Sequence, residues 1–391
     1  VSPRKLSLAS KRMAEPTKKL QMVDLSAQYE KIKEEVDQAI LDVVRSSAFI
    51  NGPEVQSFQA ELESYLDVKH VIPCANGTDA LQIAMMALGL EPGDEIIAPS
   101  FTFVATAEVI ALMGLTPVLV DVDPNTYNID PDSVRKAITP KTKAIVPVHL
   151  FGQCADMDAM MDIAKEHDLF VIEDNAQAIG AAYSDQSGAK RKSGSIGHFG
   201  STSFFPSKNL GCFGDGGALF TNDDAFAKKA RSIANHGMTV RYYHDHIGVN
   251  SRLDSIQAAV LRIKLRELDN YCDARRTAAD KYDAAFAYIP QITTPARFDN
   301  SSHVFHQYTL RIDGDRDGLK AHMDALGIPA MIYYPVPLHM QKAYLDPRYK
   351  EGDFPMTELL AREVISLPMH TELNDDQIST ITSAVISYFQ K

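Results

Sequence analysis

The sequence predicts an α/β protein: a large domain built on a mostly parallel sheet, followed by a small C-terminal α/β lobe. From about residue 70, short runs rich in β-branched residues alternate with helical patterns, as expected for parallel strands joined by crossover helices. A long helical pattern over residues 251–288 is typical of a connection between two domains. With 391 residues, the chain is long enough for this arrangement.

The elements follow in a regular order. Apolar residues at helical spacing predict a helix over 27–48, and Gly52-Pro53 ends that pattern before a second amphipathic helix. The predicted strands are 95–98, 117–122, 144–148 and 170–172, and the helices among them are 79–88, 106–113 and 157–167. After the long helix, we expect a strand over 304–312, a helix over 316–326, a strand over 330–334 and two C-terminal helices. These patterns divide the chain into a large domain, 21–270, and a small domain, 271–391.

Composition excludes several classes of function. The formal net charge of -12 argues against nucleic acid as the main partner, because phosphate backbones are bound by clustered Lys and Arg. No run resembles a membrane span, and the four cysteines lack metal-site spacing, so we expect a cytoplasmic protein without a metal. Residues 1–12 are basic and lack the apolar centre of a signal peptide, so we expect a disordered leader or tag, with a targeting peptide as the alternative.

The run from Phe170 to Ala178 carries the strongest chemical signal. A buried apolar strand ends in Glu173 and Asp174, and an amide, Gln177, follows three residues later. An Asp at a strand end can form a charge-assisted hydrogen bond to a cationic ring nitrogen, which a pyridoxal ring needs. A helix cap is the alternative, and it is the more common reason for an Asp at such a position.

A second signal is Lys208, which follows a strand-like aromatic run and Pro206 and precedes glycine-rich sequence. Partial desolvation at such a turn would lower the lysine pKa and favour the neutral amine that forms a Schiff base. An ordinary surface lysine is the alternative. The glycine-rich run 211–217 leads into a strand-like segment, so it is not the loop of a dinucleotide-binding dehydrogenase.

A third signal lies at a strand–turn–helix junction, where Gly77 and Thr78 follow Asn76. Glycine lets the backbone approach an anion, and threonine offers a hydroxyl at a helix N-terminus, so together they can form a phosphate cup. A simple helix N-cap explains the same residues equally well.

Seven motifs in order give the chain a specific resemblance. They are NGTDAL (76–81), PSFTFVATA (99–107), IEDNAQA (172–178), SFFPSKNLG (203–211), GDGGA (214–218), NSRLDSIQAA (250–259) and YYPVPLH (333–339). From about residue 21 onward, the sequence resembles the DegT/StrS family of nucleotide-sugar aminotransferases, which have the aspartate aminotransferase fold (fold type I). The resemblance implies pyridoxal 5'-phosphate (PLP) as cofactor, with pyridoxamine 5'-phosphate (PMP) as its intermediate form.

The resemblance implies a role in cofactor binding for several residues. Lys208 matches the Schiff-base lysine, Asp174 the partner of the pyridine nitrogen, and Gln177 the residue that contacts the ring 3'-oxygen. Phe103 matches the aromatic side chain that stacks on the ring. The residues that match the phosphate-binding positions are Gly77, Thr78 and Ser203.

The resemblance also implies a homodimer with shared active sites. Asn250 matches a residue that reaches the phosphate from the neighbouring subunit, and Arg252 would point toward the sugar-nucleotide from the same neighbour. In the last motif, Tyr333 and His339 are expected to contact the substrate.

The implied reaction moves an amino group from glutamate to a keto nucleotide-sugar. Relatives that are dehydratases have His at the lysine position, so Lys208 favours transamination. The sequence is most similar to the group that acts at C3, and within it to enzymes for UDP-2-acetamido-3-oxo-glucuronic acid, which implies surface polysaccharide or lipopolysaccharide synthesis. That subgroup tends to have His where Tyr333 stands, so a dTDP-3-oxo- or 4-keto-6-deoxyhexose and a cofactor-binding regulatory role are alternatives.

Overall fold

The computed structural model describes residues 20–390, so the basic segment 1–12 lies outside the described residues. The helices are α1 (Leu25–Ser46), α2 (Pro53–Leu66), α3 (Gly77–Leu88), α4 (Ala105–Leu112), α5 (Pro131–Ala137), α6 (Met157–His167), α7 (Asp224–Ala234), α8 (Ser255–Arg266), α9 (Leu268–Phe286), α10 (Arg316–Ala325), α11 (Pro355–Glu363) and α12 (Asp375–Phe389). Apart from the long connection, the helices predicted with bounds are confirmed, with ends that shift by up to two residues.

A seven-stranded sheet forms the centre of the large domain, in the order β1-β9-β8-β5-β4-β2-β3. The pairs that involve β9 are antiparallel and the other pairs are parallel, so the predicted mostly parallel sheet is confirmed. The strands are β1 (His70–Cys74), β2 (Glu95–Pro99), β3 (Thr116–Val120), β4 (Thr142–Ile145), β5 (Phe170–Asp174), β6 (Ala182–Ser184), β7 (Lys190–Lys192), β8 (Phe199–Ser203), β9 (Gly217–Thr221), β10 (Met238–Val240), β11 (Tyr243–His244), β12 (Ile292–Thr293), β13 (Tyr308–Ile312) and β14 (Val364–Leu367).

Successive residues of each central strand enter opposite cores. In β5, Val171 belongs to one buried cluster and Ile172 to the other, and in β2 the same holds for Ile97 and Ile96. Side chains alternate across a strand, so a sheet that is apolar on both sides must be covered by helices on both faces. A third cluster surrounds the β12-β13-β14 sheet near the C-terminus. The proposed boundary at residue 270 lies near the start of α9 and stays a prediction.

The single long helix expected over 251–288 is two helices, α8 and α9, which meet at Glu267. The Glu267 amide bonds to the carbonyl of Lys264, three residues earlier, so the helical ladder tightens and stops there. Leu268 packs in the large-domain core, whereas Phe286 packs in the C-terminal core. We attribute the break at Glu267 to these two cores, because it lets the apolar side of the helical segment turn from one core to the other.

The strand expected over 330–334 is wrong. Only Met331 pairs, through an isolated bridge to Ser366 of β14. Pro335 follows, and Tyr334 packs its ring against Phe101 instead of continuing a ladder. The strand expected over 304–312 starts only at Tyr308, because the residues before it form part of a cavity wall.

The described residues also bear on membrane spans and on the state of the cysteines. Within 20–390, no helix combines the length and the apolar character needed to cross a membrane. The four cysteines are buried free thiols.

Candidate active site

A cavity of about 430 Å³ opens where the parallel strands end. Asp174 is the last residue of β5 and Ser203 the last of β8, and these neighbouring parallel strands bring both to the same edge of the sheet. Eight of the eleven predicted site residues line the cavity: Gly77, Thr78, Phe103, Asp174, Gln177, Ser203, Lys208 and Tyr333.

The Asp174 carboxylate is held in one orientation. Its Oδ2 accepts a hydrogen bond from Thr106 Oγ1 at 2.9 Å, and its Oδ1 accepts one from the Ala176 amide at 3.1 Å. Residues 176–180 form turns and not a helix, so Asp174 does not serve as a helix cap. A fixed, largely buried carboxylate that faces a cavity can pair with a cationic nitrogen inside it.

Glu173 points to the opposite side of β5 and anchors the strand end. It accepts hydrogen bonds from His149 Nε2 at 2.8 Å and from the amides of Gly194, Ile196 and Gly197 at 2.9, 2.6 and 2.6 Å. Burial opposes ionisation of Glu173, but the hydrogen bond and charge of His149 and the backbone amides lower its pKa overall. The strand end that presents Asp174 is therefore tied to the 194–197 turn.

Lys208 lies on the cavity wall in a tight turn, where its amide donates to the Phe205 carbonyl at 2.8 Å. Burial lowers the pKa of Lys208 to about 8, and the charge of Asp174 opposes this effect. Near physiological pH, a larger fraction of this amine is therefore neutral than in an ordinary lysine, as a nucleophilic or basic lysine requires.

The N-terminus of α3 closes one end of the cavity. Asn76 caps the helix, with its Oδ1 accepting a hydrogen bond from the Asp79 amide at 2.8 Å. A Cβ at Gly77 would stand 2.8 Å from Ser203 Cβ, so only glycine lets this helix end approach β8 so closely. The first amides of a helix, together with the Thr78 and Ser203 hydroxyls, form a cradle suited to a phosphate.

Gln177 and Phe103 define the side walls. Gln177 Oε1 accepts a hydrogen bond from the Phe151 amide at 2.7 Å, and its Nε2 donates to the Tyr334 hydroxyl at 3.1 Å. Phe103 is 54% exposed, and its ring lies 6.2 Å from that of Tyr334. A large aromatic ring left uncovered at a cavity offers a stacking surface to a flat ligand.

Three predicted residues lie outside this cavity. Asn250 and Arg252 follow an exposed hairpin, and their contribution to a neighbouring subunit stays a prediction. His339 is buried, with Nδ1 2.8 Å from Ser100 Oγ and Nε2 3.2 Å from Glu358 Oε1. Both ring nitrogens therefore have protein partners, an arrangement that fixes the 338–340 turn.

Sequence reasoning missed Thr106, which donates to Asp174, and the cavity-lining residues Thr102, His306, Gln307 and Tyr334. Thr106 lies in α4, 68 residues before Asp174, and its motif gave no sign of the contact. His306 and Gln307 were assigned to a strand interior. The Tyr-Tyr-Pro motif drew attention to Tyr333 alone.

The matches to known proteins run along almost the whole chain. The model of the DegT/DnrJ/EryC1/StrS aminotransferase family matches residues 30–386. The chain belongs to this family. It is 47% identical over 371 residues to a pleiotropic regulatory protein of Geobacillus stearothermophilus, covering 94% of this chain and 98% of the relative.

Two more family relatives are named for their reactions. UDP-2-acetamido-2-deoxy-3-oxo-D-glucuronate aminotransferase of Pseudomonas aeruginosa is 46% identical over 366 residues, covering 94% of this chain and 99% of the relative. dTDP-3-amino-3,4,6-trideoxy-alpha-D-glucose transaminase of Streptomyces venezuelae is 41% identical over 375 residues, covering 96% and 97%.

Solved structures of the family agree with this fold. Streptomyces venezuelae DesV in complex with a ketimine intermediate has a TM-score of 0.92 and 41% identity, covering 96% of this chain and 100% of that one. A Streptococcus pneumoniae protein, in its PLP form (26% identical) and its PMP form (25%), has a TM-score of 0.85 in both, covering 91% of this chain and 96% and 97% of those chains. The protein is therefore a PLP-dependent sugar aminotransferase, and the predicted fold type and cofactor are confirmed.

The cavity fits the family's cofactor. Thr102 Oγ1, His306 Nδ1 and Gln307 Oε1 are buried beside it and have no hydrogen-bond partner within residues 20–390. Buried polar atoms without a partner are costly, so such a group indicates a polar ligand. A flat ring with a cationic nitrogen and a phosphate matches the carboxylate, the exposed aromatic ring and the helix N-terminus described above.

Proposed function

We propose that this aminotransferase moves an amino group from glutamate to C3 of a UDP-3-oxo sugar, with Lys208 as the lysine that holds PLP. The observation that carries the proposal is that Lys208 and Asp174 line one cavity, which the N-terminus of α3 closes. A lysine and a carboxylate in separate cavities could not share one ring.

Each residue has a defined task in this proposal. PLP supplies, when bound, an electron-withdrawing ring that stabilises negative charge on the carbon exchanging its amine. Asp174 would keep the ring nitrogen protonated, and Phe103 would stack on the ring. The Lys208 amine, neutral in part because burial lowers its pKa to about 8, would carry the proton at the substrate's α-carbon.

The phosphate would lie at the end of the cavity formed by α3 and β8. Gly77 permits the close approach of the two elements, and Thr78 and Ser203 offer hydroxyl donors. The positive end of the α3 dipole favours an anion there.

The choice of C3 and of UDP rests on the relatives. The 46% identical relative is named for a UDP-3-oxo-glucuronate, and the 41% identical one for a dTDP-3-amino sugar. The higher identity supports UDP. Tyr333, which replaces the His typical of the uronate subgroup, lines the cavity, so a dTDP-3-oxo-6-deoxyhexose is the alternative substrate. We expect the reaction to serve cytoplasmic synthesis of surface polysaccharide precursors.

A substrate panel tests the proposal directly. The purified protein with PLP and glutamate is incubated with UDP-2-acetamido-3-oxo-glucuronic acid, a dTDP-3-oxo-6-deoxyhexose and a 4-keto isomer, and mass spectrometry identifies the amine product. We expect the UDP sugar to react fastest, and Lys208→Ala to form no product. If the dTDP sugar reacts faster, it becomes the proposed substrate in place of the UDP sugar. Activity in Lys208→Ala would overturn the role of the lysine.

A regulatory role that binds PLP without turnover is the second candidate, favoured by the 47% identical relative named as a regulatory protein. Glutamate distinguishes the two roles. The visible absorbance of the bound cofactor should fall when glutamate is added to an aminotransferase, because PLP is converted to PMP. An unchanged spectrum would favour the regulator.

The proposal includes a homodimer with shared sites. The β10–β11 hairpin and the loop after it expose large apolar side chains, with Tyr242 74%, Tyr243 70% and Ile247 90% accessible. Contiguous exposed apolar surface favours a protein interface. Asn250 directly follows this segment, so an interface there would bring it to a neighbouring subunit.

Mixing two inactive variants tests the shared site. Lys208→Ala lacks its own lysine, and Asn250→Ala would fail to complete its partner's site. A mixed dimer has one intact site, so subunit exchange at equal concentrations should restore about one quarter of the wild-type sites. Dimers that form without any recovery of activity would refute the shared site.

A further inference from the structure

A buried lysine of α8 contacts the loop that contains Lys208. Lys264 is 2% exposed, and its Nζ donates a hydrogen bond to the Gly211 carbonyl at 2.6 Å. No carboxylate in the described part of the chain pairs with it. Burial lowers the pKa of Lys264 to about 8, with a smaller opposing effect of Cys212. A lysine in this position costs stability, which points to a role beyond filling space.

A second polar residue on the same face of α8 holds the same loop. Gln257, two helical turns before Lys264, accepts a hydrogen bond from the Phe213 amide at 2.8 Å through its Oε1. Leu261, between them along the helix, is fully buried in the large-domain core. Helix α8 thus bonds to the 211–213 backbone at two points, with the buried Leu261 between them along the helix.

Helix α8 is a firm base for this grip. Arg262, on another face, donates to Glu54 and Glu61 of α2 at 2.7 and 2.6 Å. Val260 packs with Val36 of α1 in a separate buried cluster. Because α8 is held by α1 and α2, its hydrogen bonds to the 211–213 backbone fix the position of that loop.

The loop is closed tightly enough to transmit that position to Lys208. The Cys212 amide donates to the Phe204 carbonyl at 2.8 Å, which closes the segment that contains Lys208. A Cβ at Gly211 would stand 2.3 Å from the Pro206 carbonyl oxygen, so the two ends of the turn are in direct contact. A shift of Gly211 therefore displaces the turn that carries the lysine.

We propose that Lys264 and Gln257 are positioning residues, which hold the 211–213 backbone against α8 and thereby set the place of the Lys208 amine in the cavity. The inference rests on the proposed role of Lys208 as the lysine that holds PLP. In this role, the buried amine of Lys264 acts on the reaction only by positioning Lys208, and it contacts neither cofactor nor substrate.

Lys264→Met tests the inference in the PLP-loaded enzyme. Methionine keeps the length and the apolar stem but cannot donate to Gly211. We expect kcat to fall about tenfold with little change in the KM of the sugar, because a misplaced catalytic group slows chemistry more than binding. We also expect a changed pH midpoint of the bound cofactor's visible absorbance, and a melting temperature no lower than that of the wild type.

The matched control is Arg266→Met, which removes a half-exposed cation from the same helix, paired with Glu35, without touching the loop. It should keep the wild-type kcat and pH midpoint even if it melts earlier. Gln257→Leu removes the hydrogen bond to the Phe213 amide and should change kcat and the pH midpoint in the same direction as Lys264→Met. If Lys264→Met does not fold, the result for Gln257→Leu decides the question. A wild-type kcat and pH midpoint in Lys264→Met and Gln257→Leu, or the same changes in Arg266→Met, would overturn the inference.

Borohydride reduction of the wild-type enzyme and peptide mapping separate this inference from the proposed function. The reduction attaches the cofactor permanently to the lysine that holds it, and this attached cofactor is the label. If the label is on Lys208 but Lys264→Met and Gln257→Leu keep the wild-type kcat and pH midpoint, the positioning role alone is overturned. Label on another lysine overturns both. Label on Lys208 with the expected changes in Lys264→Met supports both.

Discussion

Replacing the cavity lysine with an uncharged side chain of similar length should stabilise the cofactor-free protein. Burial lowers the pKa of Lys208 from 10.5 to about 8, against the opposing charge of Asp174. This difference corresponds to roughly 3 kcal/mol. It is an upper limit, because the amine faces an open cavity in which water screens its charge. For Lys208→Met we expect the free energy of unfolding at neutral pH to rise by about 1 to 3 kcal/mol.

The pH dependence separates the cost of burying charge from an effect of packing. Between pH 8 and 10.5, the amine is largely neutral in the folded protein and protonated in the unfolded chain. The wild type therefore gains stability as the pH rises through this window, and the advantage of Lys208→Met shrinks. Urea unfolding of both cofactor-free proteins, followed by circular dichroism at neutral pH and at about pH 10, measures this. An advantage that is absent at neutral pH, or that persists unchanged at the higher pH, would refute the reasoning.

Two further substitutions test the support of Asp174 and the phosphate end of the cavity. Thr106→Val removes the hydroxyl that donates to Asp174 at 2.9 Å; steady-state kinetics should give a kcat lower by about tenfold or more, as for the loss of one hydrogen bond to a charged group, and an unchanged kcat would contradict the role of this contact. Gly77→Ala places a Cβ 2.8 Å from Ser203 Cβ and forces α3 away from β8; PLP titration followed by fluorescence should give an affinity at least about tenfold weaker, and wild-type affinity would mean that the phosphate binds elsewhere.

The sequence predicted the parts of the fold that depend on periodicity. The large-domain strands are apolar on both faces, and the helices between them carry 3.6-residue patterns, so their alternation indicated a parallel sheet directly. Asp174 could be placed at the ligand-binding edge because it follows a predicted strand, whereas Ser203 was identified only through the family resemblance. The motif order then connected them to Lys208 and Gly77.

What the sequence did not predict depends on contacts between distant segments. The break at Glu267 carries no Pro or Gly, since it reflects which core each helix enters. His306 reaches the cavity because Arg275 of α9 donates to the carbonyls of Phe305, His306 and Met369 at 3.0, 3.2 and 3.1 Å. Nothing in the letters around His306 indicates that contact. Lys264 likewise has the sequence signature of an ordinary helix-surface lysine.

The side-by-side carboxylates of β5 have a consequence for how this site tolerates substitution. Glu173 and Asp174 differ by one methylene group, yet one satisfies four protein donors behind the sheet and the other faces the ligand. Transposing the two letters would leave composition and net charge untouched. It would nevertheless give the turn at 194–197 an acid too short to reach its amides, and push a longer one into the space meant for a ring. Two adjacent acids can therefore be constrained independently, each in its length as much as in its charge.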